Sequence, residues 1–233
     1  MTRWRARTVA AILVALGCSG CVSVSEGAER PSTPSAPTTE STTASSSDSA
    51  PADVAVLLDE LPVKGKAPKT GYQRTEKFGR AWLDVDDNGC DTRNDILTRD
   101  LDETVMKGDG CTVLSGVLLD DYSGERIDFT RGQDTSAKVQ IDHKVALMNA
   151  WVTGAQQLTQ DERVSLANDP DNLTAVRGDV NAQKGAGDAA TWLPPNKSYR
   201  CEYVSDQVRV KAKYRLWVTP AEKDAIAREL GRC

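Results

Sequence analysis

One residue in the chain is a clear candidate for acid–base chemistry. His143 is the only histidine among 233 residues, and it directly follows the acid Asp142 in the segment Val139–Val145. The unperturbed pKa of histidine lies close to neutral pH, which suits a general base, and no second histidine is present to share that role. If the protein is an enzyme, we therefore predict that His143 is its general base.

Two short strands and a helix are predicted around this histidine. Val139–Val145 has the β-branched and apolar residues of a strand, and Asn172–Val176 has the same character. Asp179 is predicted to cap a helix over Val180–Lys184, which ends at a glycine. The order strand, strand, helix would place His143 on the first strand, with an asparagine-rich, lysine-bearing segment following it.

The rest of the chain completes a mixed pattern of helices and strands. Apolar spacing and helix caps indicate helices, and β-branched runs between glycine turns indicate an antiparallel sheet. The predicted helices span residues 52–61, 73–82, 92–101, 148–152, 159–168, 199–215 and 220–230, and the predicted sheet lies within residues 104–129. We therefore predict one domain with an α+β fold, a small antiparallel sheet with packed helices.

The charge of the chain is unevenly distributed. The net charge is −5 and the pI is near 5.1, values that do not suggest a nucleic-acid-binding protein. From Val22 to Ile141 there are 22 acidic and 13 basic residues, whereas from Asp142 to Cys233 there are 12 acidic and 13 basic residues. The C-terminal part is therefore compatible with a local basic surface, either a groove for a phosphate backbone or a solvated helix face. The residues that would form this basic surface are Lys197, Arg200, Arg209, Lys211, Lys213 and Arg215.

The N-terminus has the features of an export signal. Three arginines within the first seven residues precede the apolar run Val9–Leu16, which is too short to span a bilayer as a helix. The segment Gly17–Cys21 resembles a bacterial lipoprotein cleavage box, in which Cys18 or Cys21 would be lipidated. An ordinary secretory signal is the alternative. We therefore predict a signal peptide over residues 1–21 and a protein that is either attached to the outer face of the membrane or secreted.

A low-complexity segment follows the signal. From Ser23 to Ala52 the chain consists mainly of Ser, Thr, Pro and Ala with scattered acids and no apolar period. Such a composition cannot bury enough apolar surface to offset chain entropy. We therefore predict a disordered tether over residues 22–52 and a folded domain over residues 53–233.

Four cysteines lie beyond the tether, at positions 90, 111, 201 and 233. An even number of cysteines in an exported chain indicates two disulfides rather than a metal site, because no C-x-x-C pair occurs among them. Chain order favours pairing Cys90 with Cys111 and Cys201 with Cys233, although the sequence alone permits three pairings.

An acidic segment resembles a calcium-binding loop. Asp84, Asp86 and Asn88 alternate before Gly89, and Asp95 stands at the twelfth position, where such loops usually have glutamate. An acidic turn that caps the next helix explains the same residues. Calcium binding by Asp84, Asp86 and Asn88 is therefore the weaker of the two expectations.

Several separated motifs occur in an order typical of one nuclease family. They are Asp142-His143, Asn168–Leu173, Asn181–Gly185 and Trp192–Pro195, with Gly89–Asn94 and Tyr199–Cys201 on the flanks. This set resembles the exported HNH endonuclease family related to the C-terminal domain of GmrSD-type restriction endonucleases, and the resemblance spans about Gly71 to Cys233. It implies that the strand–strand–helix segment is a ββα-metal finger.

The resemblance also implies a mechanism of phosphodiester hydrolysis. His143 would take a proton from water, and Asp142 and Asn181 would hold one divalent cation, Mg²⁺ in the first place and Mn²⁺ as an alternative. Asn172 matches the middle asparagine of the family and would hold the loop that positions His143. Lys184, one helical turn after Asn181, would contact phosphate.

Nucleic acid is the implied partner, DNA rather than RNA by analogy with the family, and no protein partner is implied. Arg93, Arg200 and Lys211 are further candidates for phosphate binding. The rival hypothesis is a non-catalytic envelope protein that binds DNA or wall polymer through the same finger. The presence of a base together with its metal ligands argues against this rival, because a scaffold needs neither.

Overall fold

Helices and short antiparallel strands alternate along the part of the chain that the structure describes. The computed structural model describes residues 49–133 and 135–233, which belong to one compact unit. The predicted signal peptide, with Cys18 and Cys21, lies outside the described residues, as does the predicted tether up to residue 48. No helix in the described part is long and apolar enough to cross a membrane.

Eight α-helices occur among the described residues, close to the predicted positions. They are α1 (Ser49–Glu60), α2 (Arg74–Phe78), α3 (Thr92–Asp100), α4 (Leu147–Val152), α5 (Gln160–Asn168), α6 (Gly178–Lys184), α7 (Arg200–Lys213) and α8 (Pro220–Leu230). Helix α1 begins inside the stretch predicted as tether. Helix α2 is shorter than predicted because Gly79 follows it with φ of 77°, a backbone conformation that ends a helix and that glycine adopts without strain.

Five strands form two separate antiparallel sheets in this part of the chain. They are β1 (Leu101–Met106), β2 (Val113–Leu119), β3 (Arg126–Thr130), β4 (Val139–His143) and β5 (Leu173–Arg177). Strands β1, β2 and β3 lie side by side in that order, whereas β4 pairs with β5. The sequence predicted a small antiparallel sheet in the middle of the chain and two further strands in the strand–strand–helix unit. In the structure these two strands, β4 and β5, pair in a register that places Asp142 opposite Thr174 and His143 opposite Leu173.

Helix α3 joins the two sheets through one hydrophobic cluster. Ile96 and Leu97 of α3 are buried against side chains from all five strands, including Val139 and Ile141 of β4. Burying side chains of this size stabilises the fold by roughly 1.5–3 kcal/mol each. Helix α3 therefore fixes the position of the strand that carries His143.

Strands β4 and β5 together with α6 form the predicted strand–strand–helix unit. Helix α6 begins directly after β5, and its first residue, Gly178, lies so close to the chain before β4 that a Cβ there would be 2.1 Å from the carbonyl oxygen of Ala137. The prediction that Asp179 caps this helix was wrong. Arg177 occupies the N-cap position, and the Asp179 carboxylate accepts a hydrogen bond from its guanidinium at 2.6 Å.

A second group of helices packs around α7. Tyr203, Val204 and Val208 of α7 are fully buried in a cluster with residues of α1 and α8. The predicted capping box at Thr219 and Glu222 is present at the start of α8, and the one predicted at Thr159 is present at the start of α5. The predicted starts of α5 and α8 are therefore confirmed.

Two disulfides are present among the described residues, and both match the pairing that chain order favours. Cys90 is bonded to Cys111, which links the loop before α3 to the turn between β1 and β2. Cys201 is bonded to Cys233, which fastens the segment after α8 to the first turn of α7. The α+β class and its stabilisation by disulfides are therefore confirmed.

Candidate active site

His143 is the last residue of β4, and its side chain is held by a backbone group. The residue is 5 % exposed, and its Nε2 lies 2.8 Å from the carbonyl oxygen of Ala167 at the end of α5. A carbonyl oxygen only accepts hydrogen bonds, so Nε2 carries the proton and donates it. In the neutral ring the lone pair therefore lies on Nδ1, which is the nitrogen able to act as a base.

Burial keeps this imidazole neutral at physiological pH. It lowers the pKa of His143 to about 4, because the imidazolium ion loses its hydration inside the protein. The positive charge of Arg74 lowers the pKa further, and the hydrogen bond to Ala167 opposes the shift. Trp82 covers the ring in a stacked arrangement, with 6.4 Å between ring centroids and 18° between planes.

The backbone of Trp82 is unusual for a bulky residue. Its φ is 61°, in the left-handed region that non-glycine residues rarely adopt. Strained backbone of this kind concentrates at functional sites, where the surrounding structure enforces it. Here the residue in this conformation carries the indole that stacks on His143.

Asn172 holds the turn that follows His143. Its side chain is fully buried, and its Oδ1 accepts the backbone N–H of Val145 at 2.8 Å. Its amide nitrogen donates to the carbonyl oxygens of Val145 and Leu166 at 3.4 and 3.3 Å. Asn172 therefore ties the segment after the histidine to α5.

Asp142 is buried and has two hydrogen-bond donors inside the protein. The hydroxyl of Tyr122 donates to Oδ2 at 2.6 Å, and the ammonium group of Lys184 lies 3.0 Å from Oδ1 and 2.8 Å from Oδ2. Lys184 also donates to the carbonyl oxygen of His143 at 2.7 Å, and its side chain is fully buried. In this arrangement Lys184 does not reach the surface, so an ion pair with Asp142 replaces the expected contact with phosphate.

Asn181 lies on α6, half-buried, next to β4. Its amide nitrogen donates to Gln140 Oε1 at 2.8 Å, which orients the amide and leaves its Oδ1 available as an acceptor. Gln140 precedes Asp142 by two residues, so both side chains project from the same face of β4. This hydrogen bond holds the Asn181 amide against β4, the strand that carries Asp142.

A cleft of about 310 Å³ brings these residues together. Its lining includes Asp142, His143 and Asn181, and also Arg74 and Tyr72. The last two were missed in the sequence, because they lie about 70 residues before the histidine and no motif connects them to it. Only the packing of α2 against α4 and α5 brings them to the site.

Arg74 is the charged group most exposed to a ligand in this cleft. It is exposed, and it forms no hydrogen bond or ion pair with the residues that the structure describes. It also lines a smaller cavity together with His143, Arg80 and Trp82. Arg74 therefore places an uncompensated positive charge beside the histidine.

The three arginine and lysine residues predicted to bind phosphate lie elsewhere, and none of them lines the cleft. Arg93 donates to the carbonyl oxygen of Val139 at 3.2 Å, and burial lowers the pKa of its guanidinium. Arg200 donates to the carbonyl oxygen of Pro194 at 2.8 Å. Lys211 is fully buried in an ion pair with Glu222 at 2.9 Å. These side chains support the fold in the positions that they occupy.

The basic surface predicted near α7 is largely neutralised by acids. Arg209 pairs with Asp206 at 3.0 Å, and Lys213 pairs with Asp169 and Asp171 at 2.8 and 2.9 Å. Arg215 pairs in the same way with a glutamate of α5. Of the two readings of this segment, the described side chains favour a solvated, ion-paired face over a phosphate groove.

The acidic loop before α3 is organised by its own hydrogen bonds. The two carboxylate oxygens of Asp84 accept backbone N–H groups of Asn88 and Gly89, at 3.2 and 2.9 Å. Asn88 donates to Asp86 and Asp95 at 3.0 and 3.2 Å. No cluster of three or more His, Cys, Asp or Glu side chains in the described ranges is arranged to hold a metal. The arrangement therefore favours an acidic turn over a calcium site.

The donors at the cleft suit a hard cation that keeps part of its water shell. Asp142 and Asn181 offer a carboxylate and an amide oxygen, the ligand types that Mg²⁺ and Mn²⁺ prefer. A carboxylate has about four lone-pair positions, and Tyr122 and Lys184 occupy three in this structure. One position remains, so two protein ligands fit such a cation and a complete cage of protein ligands does not.

The sequence matches a known protein family over most of its described part. Residues 73–229 match the family described as GmrSD restriction endonucleases, C-terminal domain. An uncharacterized secreted protein from Arthroderma benhamiae is 38% identical over 179 residues, which cover 76% of this chain and 83% of the relative. No solved structure matches the chain. The family resemblance inferred from the motifs is confirmed, and the chain belongs to the family of the C-terminal domain of GmrSD restriction endonucleases.

Proposed function

We propose that the protein is an exported, metal-dependent endonuclease that hydrolyses phosphodiester bonds of DNA. The observation that carries this proposal is the cleft in which the His143 ring, fixed by a backbone carbonyl, lies with the oxygen donors of Asp142 and Asn181. Phosphodiester hydrolysis requires a base for water and compensation of the negative charge that develops at phosphorus. These residues can meet both requirements.

His143 acts as the general base through Nδ1. The ring is neutral before reaction, and the hydrogen bond from Nε2–H to Ala167 stabilises the positive charge that develops when the ring takes a proton. Asn172 holds the following turn and Trp82 covers the ring, so the imidazole is fixed in one orientation. A fixed base avoids the entropic cost of orienting it during each turnover.

Asp142 and Asn181 hold the divalent cation, Mg²⁺ in the first place and Mn²⁺ as the alternative. When bound, the cation supplies charge stabilisation at the phosphoryl group and at the leaving oxygen. The protein's contribution is to keep the two oxygen donors in place. Gln140 accepts a hydrogen bond from the side-chain amide of Asn181. Tyr122 and Lys184 hold the Asp142 carboxylate through their own hydrogen bonds.

Arg74 binds a phosphate oxygen beside His143. A guanidinium group forms short, charge-assisted hydrogen bonds with phosphate, and this one is exposed without a partner among the described residues. Contacts of this kind recognise the backbone rather than the bases. We therefore expect cleavage with little sequence preference.

Export is supported by the two disulfides, since such bonds persist in oxidising compartments, and by the relative that is described as secreted. Attachment through a lipid at Cys18 or Cys21 is a separate part of the proposal. Fractionation of cells that carry Cys18→Ala or Cys21→Ala tests it. Loss of the lipidated cysteine should move the protein from the membrane to the medium, and an unchanged distribution of both variants contradicts the anchor.

Plasmid cleavage tests the nuclease directly. The oxidised protein should nick or linearise plasmid DNA with Mg²⁺ or Mn²⁺, and a chelator should stop the reaction. His143→Ala should lose at least about a hundredfold in rate, in the range typical of removing a general base. Arg228→Gln, which alters an exposed cation on α8 outside the cleft, is the control and should cleave normally.

The rival hypothesis makes a different prediction for the same assay. A non-catalytic protein that binds DNA or wall polymer would show no cleavage under any condition, and His143→Ala would not change its behaviour. Retention of full cleavage by His143→Ala would contradict the assignment of the base even if the protein is a nuclease.

A further inference from the structure

The arginine of the cleft belongs to a short basic segment in an otherwise acidic chain. Residues 62–82, here called the basic segment, contain six lysines and arginines and one acid, whereas the rest of the chain contains 23 basic and 33 acidic residues. Such a concentration of positive charge on a chain of negative net charge indicates a surface for an anionic partner. The basic residues of this segment are Lys64, Lys66, Lys69, Arg74, Lys77 and Arg80.

The first half of the basic segment is irregular, and its backbone is fixed to α4 and to the turn that follows this helix. The N–H of Ala67 donates to the carbonyl oxygen of Val152 at 2.8 Å. The carbonyl oxygen of Pro68 accepts a hydrogen bond from the side-chain amide of Gln156 at 2.9 Å. Because these contacts order the backbone in advance, a ligand that binds the lysine side chains does not have to order it.

A β-turn brings Lys69 close to the cleft. The N–H of Tyr72 donates to the carbonyl oxygen of Lys69 at 3.1 Å, and Gly71, the third residue of the turn, has φ of 77°. A positive φ at this position is what a type II turn requires, and the Cα atoms of its first and last residues lie less than about 7 Å apart. Tyr72 lines the cleft. Lys69 therefore lies beside the wall of the cleft that Tyr72 forms.

Three cations of the basic segment have no acidic partner among the residues that the structure describes. Lys66 is neutralised, since its ammonium group lies 2.7 Å from Asp188 in the turn after α6. Lys69, Arg74 and Arg80, in contrast, are exposed and form no side-chain hydrogen bond or ion pair with described residues. Their charge is therefore available to a ligand that approaches the cleft.

We propose that Lys69 binds a backbone phosphate that neighbours the scissile one, so that the basic segment forms a subsite for the nucleic-acid strand outside the cleft. This inference rests on the proposed function, and it assigns a polynucleotide rather than a small phosphodiester as the substrate. An ammonium group on a flexible stem binds phosphate as a point charge. Phosphates of one strand advance about 3.4 Å each along a duplex, so Lys69 reaches one within roughly three nucleotides of the bond.

The surroundings of Lys69 favour nucleic acid over a polyanion without bases. Tyr72 is half-buried and lies between Lys69 and Arg74 in the chain, and its ring packs against those of Phe78 and Trp151 with centroids 6.1 Å apart in both cases. An aromatic ring held in this way offers a surface on which a base can stack. Lys69 precedes residues 73–229, which match the family, so the subsite adds a contact of this chain's own.

DNA binding by the full-length His143→Gln protein tests the subsite without cleavage. The affinity for a short labelled duplex is measured by fluorescence anisotropy at a series of salt concentrations. Adding Lys69→Gln should weaken binding about twofold to fivefold near physiological salt. It should also reduce the slope of log affinity against log salt by about 0.9, the value for one lost phosphate contact.

Two further variants show whether the charge of Lys69 is responsible. Lys69→Arg keeps the charge, so it should preserve both the affinity and the salt slope. Lys107→Gln removes the same charge from the turn between β1 and β2, where the side chain is 62 % exposed, and it should change neither quantity. An equal effect of Lys69→Gln and Lys107→Gln would show that only the net charge matters, which would overturn the inference.

Cleavage by the protein with an intact His143 gives a second readout. Lys69→Gln should lower kcat/KM for duplex DNA by a similar factor, through KM, and leave kcat unchanged. Hydrolysis of bis(p-nitrophenyl) phosphate should not change, because this ester has no neighbouring phosphate.

Failure of this inference differs from failure of the proposed function. An unchanged salt slope for Lys69→Gln would overturn the inference while metal-dependent plasmid cleavage by the wild type still stands. Tighter binding of a poly(glycerol phosphate) chain than of DNA of equal charge would assign the segment to a wall polymer, and would overturn the inference as well. Absence of cleavage by the folded wild-type protein would overturn the proposed function whatever the salt slopes are.

Discussion

The hydrogen bond at one ring nitrogen of His143 determines whether the other nitrogen can accept a proton. The carbonyl oxygen of Ala167 requires the proton of His143 to sit on Nε2, so Nδ1 keeps its lone pair. Burial then ensures that this lone pair is not protonated at neutral pH. A histidine in this state is ready to accept a proton without first losing one.

Burial of His143 should make the stability of the protein depend on pH. The pKa is about 4 in the folded protein and near 6.5 in the unfolded chain, so between these values only the unfolded state takes up the proton. The free energy of unfolding therefore falls as the pH drops from 6.5 towards 4, and this contribution is complete above 6.5. Between about pH 7 and pH 4.5, protonation of His143 should lower the free energy of unfolding by roughly 2 kcal/mol.

Urea denaturation of the wild type and of His143→Gln at the two pH values measures this effect. The variant lacks the titrating group, so the difference in stability between the two proteins should shrink by about the same 2 kcal/mol at the lower pH. A difference that does not change with pH would show that the histidine is not buried as a neutral ring.

Arg74 should contribute to substrate binding and to the pKa of the base. Arg74→Gln removes a charge-assisted contact with phosphate, so kcat/KM for DNA cleavage should fall about tenfold to a hundredfold. Because the Arg74 charge lowers the pKa of His143, the variant should also raise this pKa, which an NMR titration of the single histidine detects. Arg228→Gln removes the same charge outside the cleft and should change neither quantity.

The roles of two buried lysines could not be predicted from the sequence. The positions of His143, Asp142, Asn172 and Asn181 followed from motif order, but Lys184 was expected to contact phosphate and is instead inside the protein. Its role depends on a partner 42 residues earlier in the chain, and spacing along one helix carries no information about such a partner. The same holds for Lys211, which was assigned to phosphate and pairs with Glu222.

The junction between β5 and α6 packs closely against the chain before β4. Gly178 starts α6 with no side chain, and an added Cβ would lie 2.1 Å from the carbonyl oxygen of Ala137 and 3.0 Å from Gln140 Nε2. A backbone atom cannot move away at low cost, so Gly178→Ala should shift the helix relative to β4. Such overpacking usually costs about 1–3 kcal/mol.

Thermal unfolding and plasmid cleavage of Gly178→Ala test this expectation together. Stability should fall by about that amount, and cleavage should fall further because Asn181 moves with α6 away from Gln140. Gly65→Ala is the matched control, since no atom lies within 4 Å of its added Cβ, and it should change stability by less than about 0.5 kcal/mol. Equal stability of the two variants would contradict the close approach.

Elements with local signals were predicted well, and elements defined by distant contacts were not. The two capping boxes, the helix α3 and the strands β4 and β5 followed from nearby residues. The start of α6 was misjudged because Asp179 pairs with the residue before Gly178 instead of capping the helix. The register of β4 against β5 depends on pairing across about 30 residues, which a local pattern does not encode.

At the scale of the whole molecule, two disulfides fasten regions that lie away from the cleft. The Cys201–Cys233 bond closes a separation of 32 residues, and the Cys90–Cys111 bond one of 21. On the chain-entropy model each should stabilise the fold by roughly 3–4 kcal/mol. Replacing Cys201 and Cys233 with serine should therefore lower stability by about this amount.

The same double variant should retain its rate of cleavage at low temperature, where most molecules remain folded. Neither sulfur lines the cleft, so the effect should appear in urea denaturation and not in kcat. A large loss of kcat in a fully folded variant would indicate that α7 and α8 influence the site more directly than their contacts suggest.

Long-range packing also explains why Arg74 was not predicted to line the cleft. Arg74 reaches the cleft because α2 packs against α4 and α5, through contacts such as Phe78 with Trp151. Polar residues that meet only after the whole chain has folded leave no spacing rule in the sequence. His143 and Asp142, by contrast, are neighbours in the sequence on β4, so the sequence alone placed them together.

The indole stacked on His143 should make the protonation of this ring measurable by fluorescence. Trp82 and the imidazole lie nearly parallel, and a protonated imidazole quenches indole emission on contact. The fluorescence that Trp82 contributes, obtained by subtracting the spectrum of Trp82→Phe, should therefore dim as the ring gains its proton. The ionisation of His143 can be followed by fluorescence alone, in the absence of DNA and of any divalent ion.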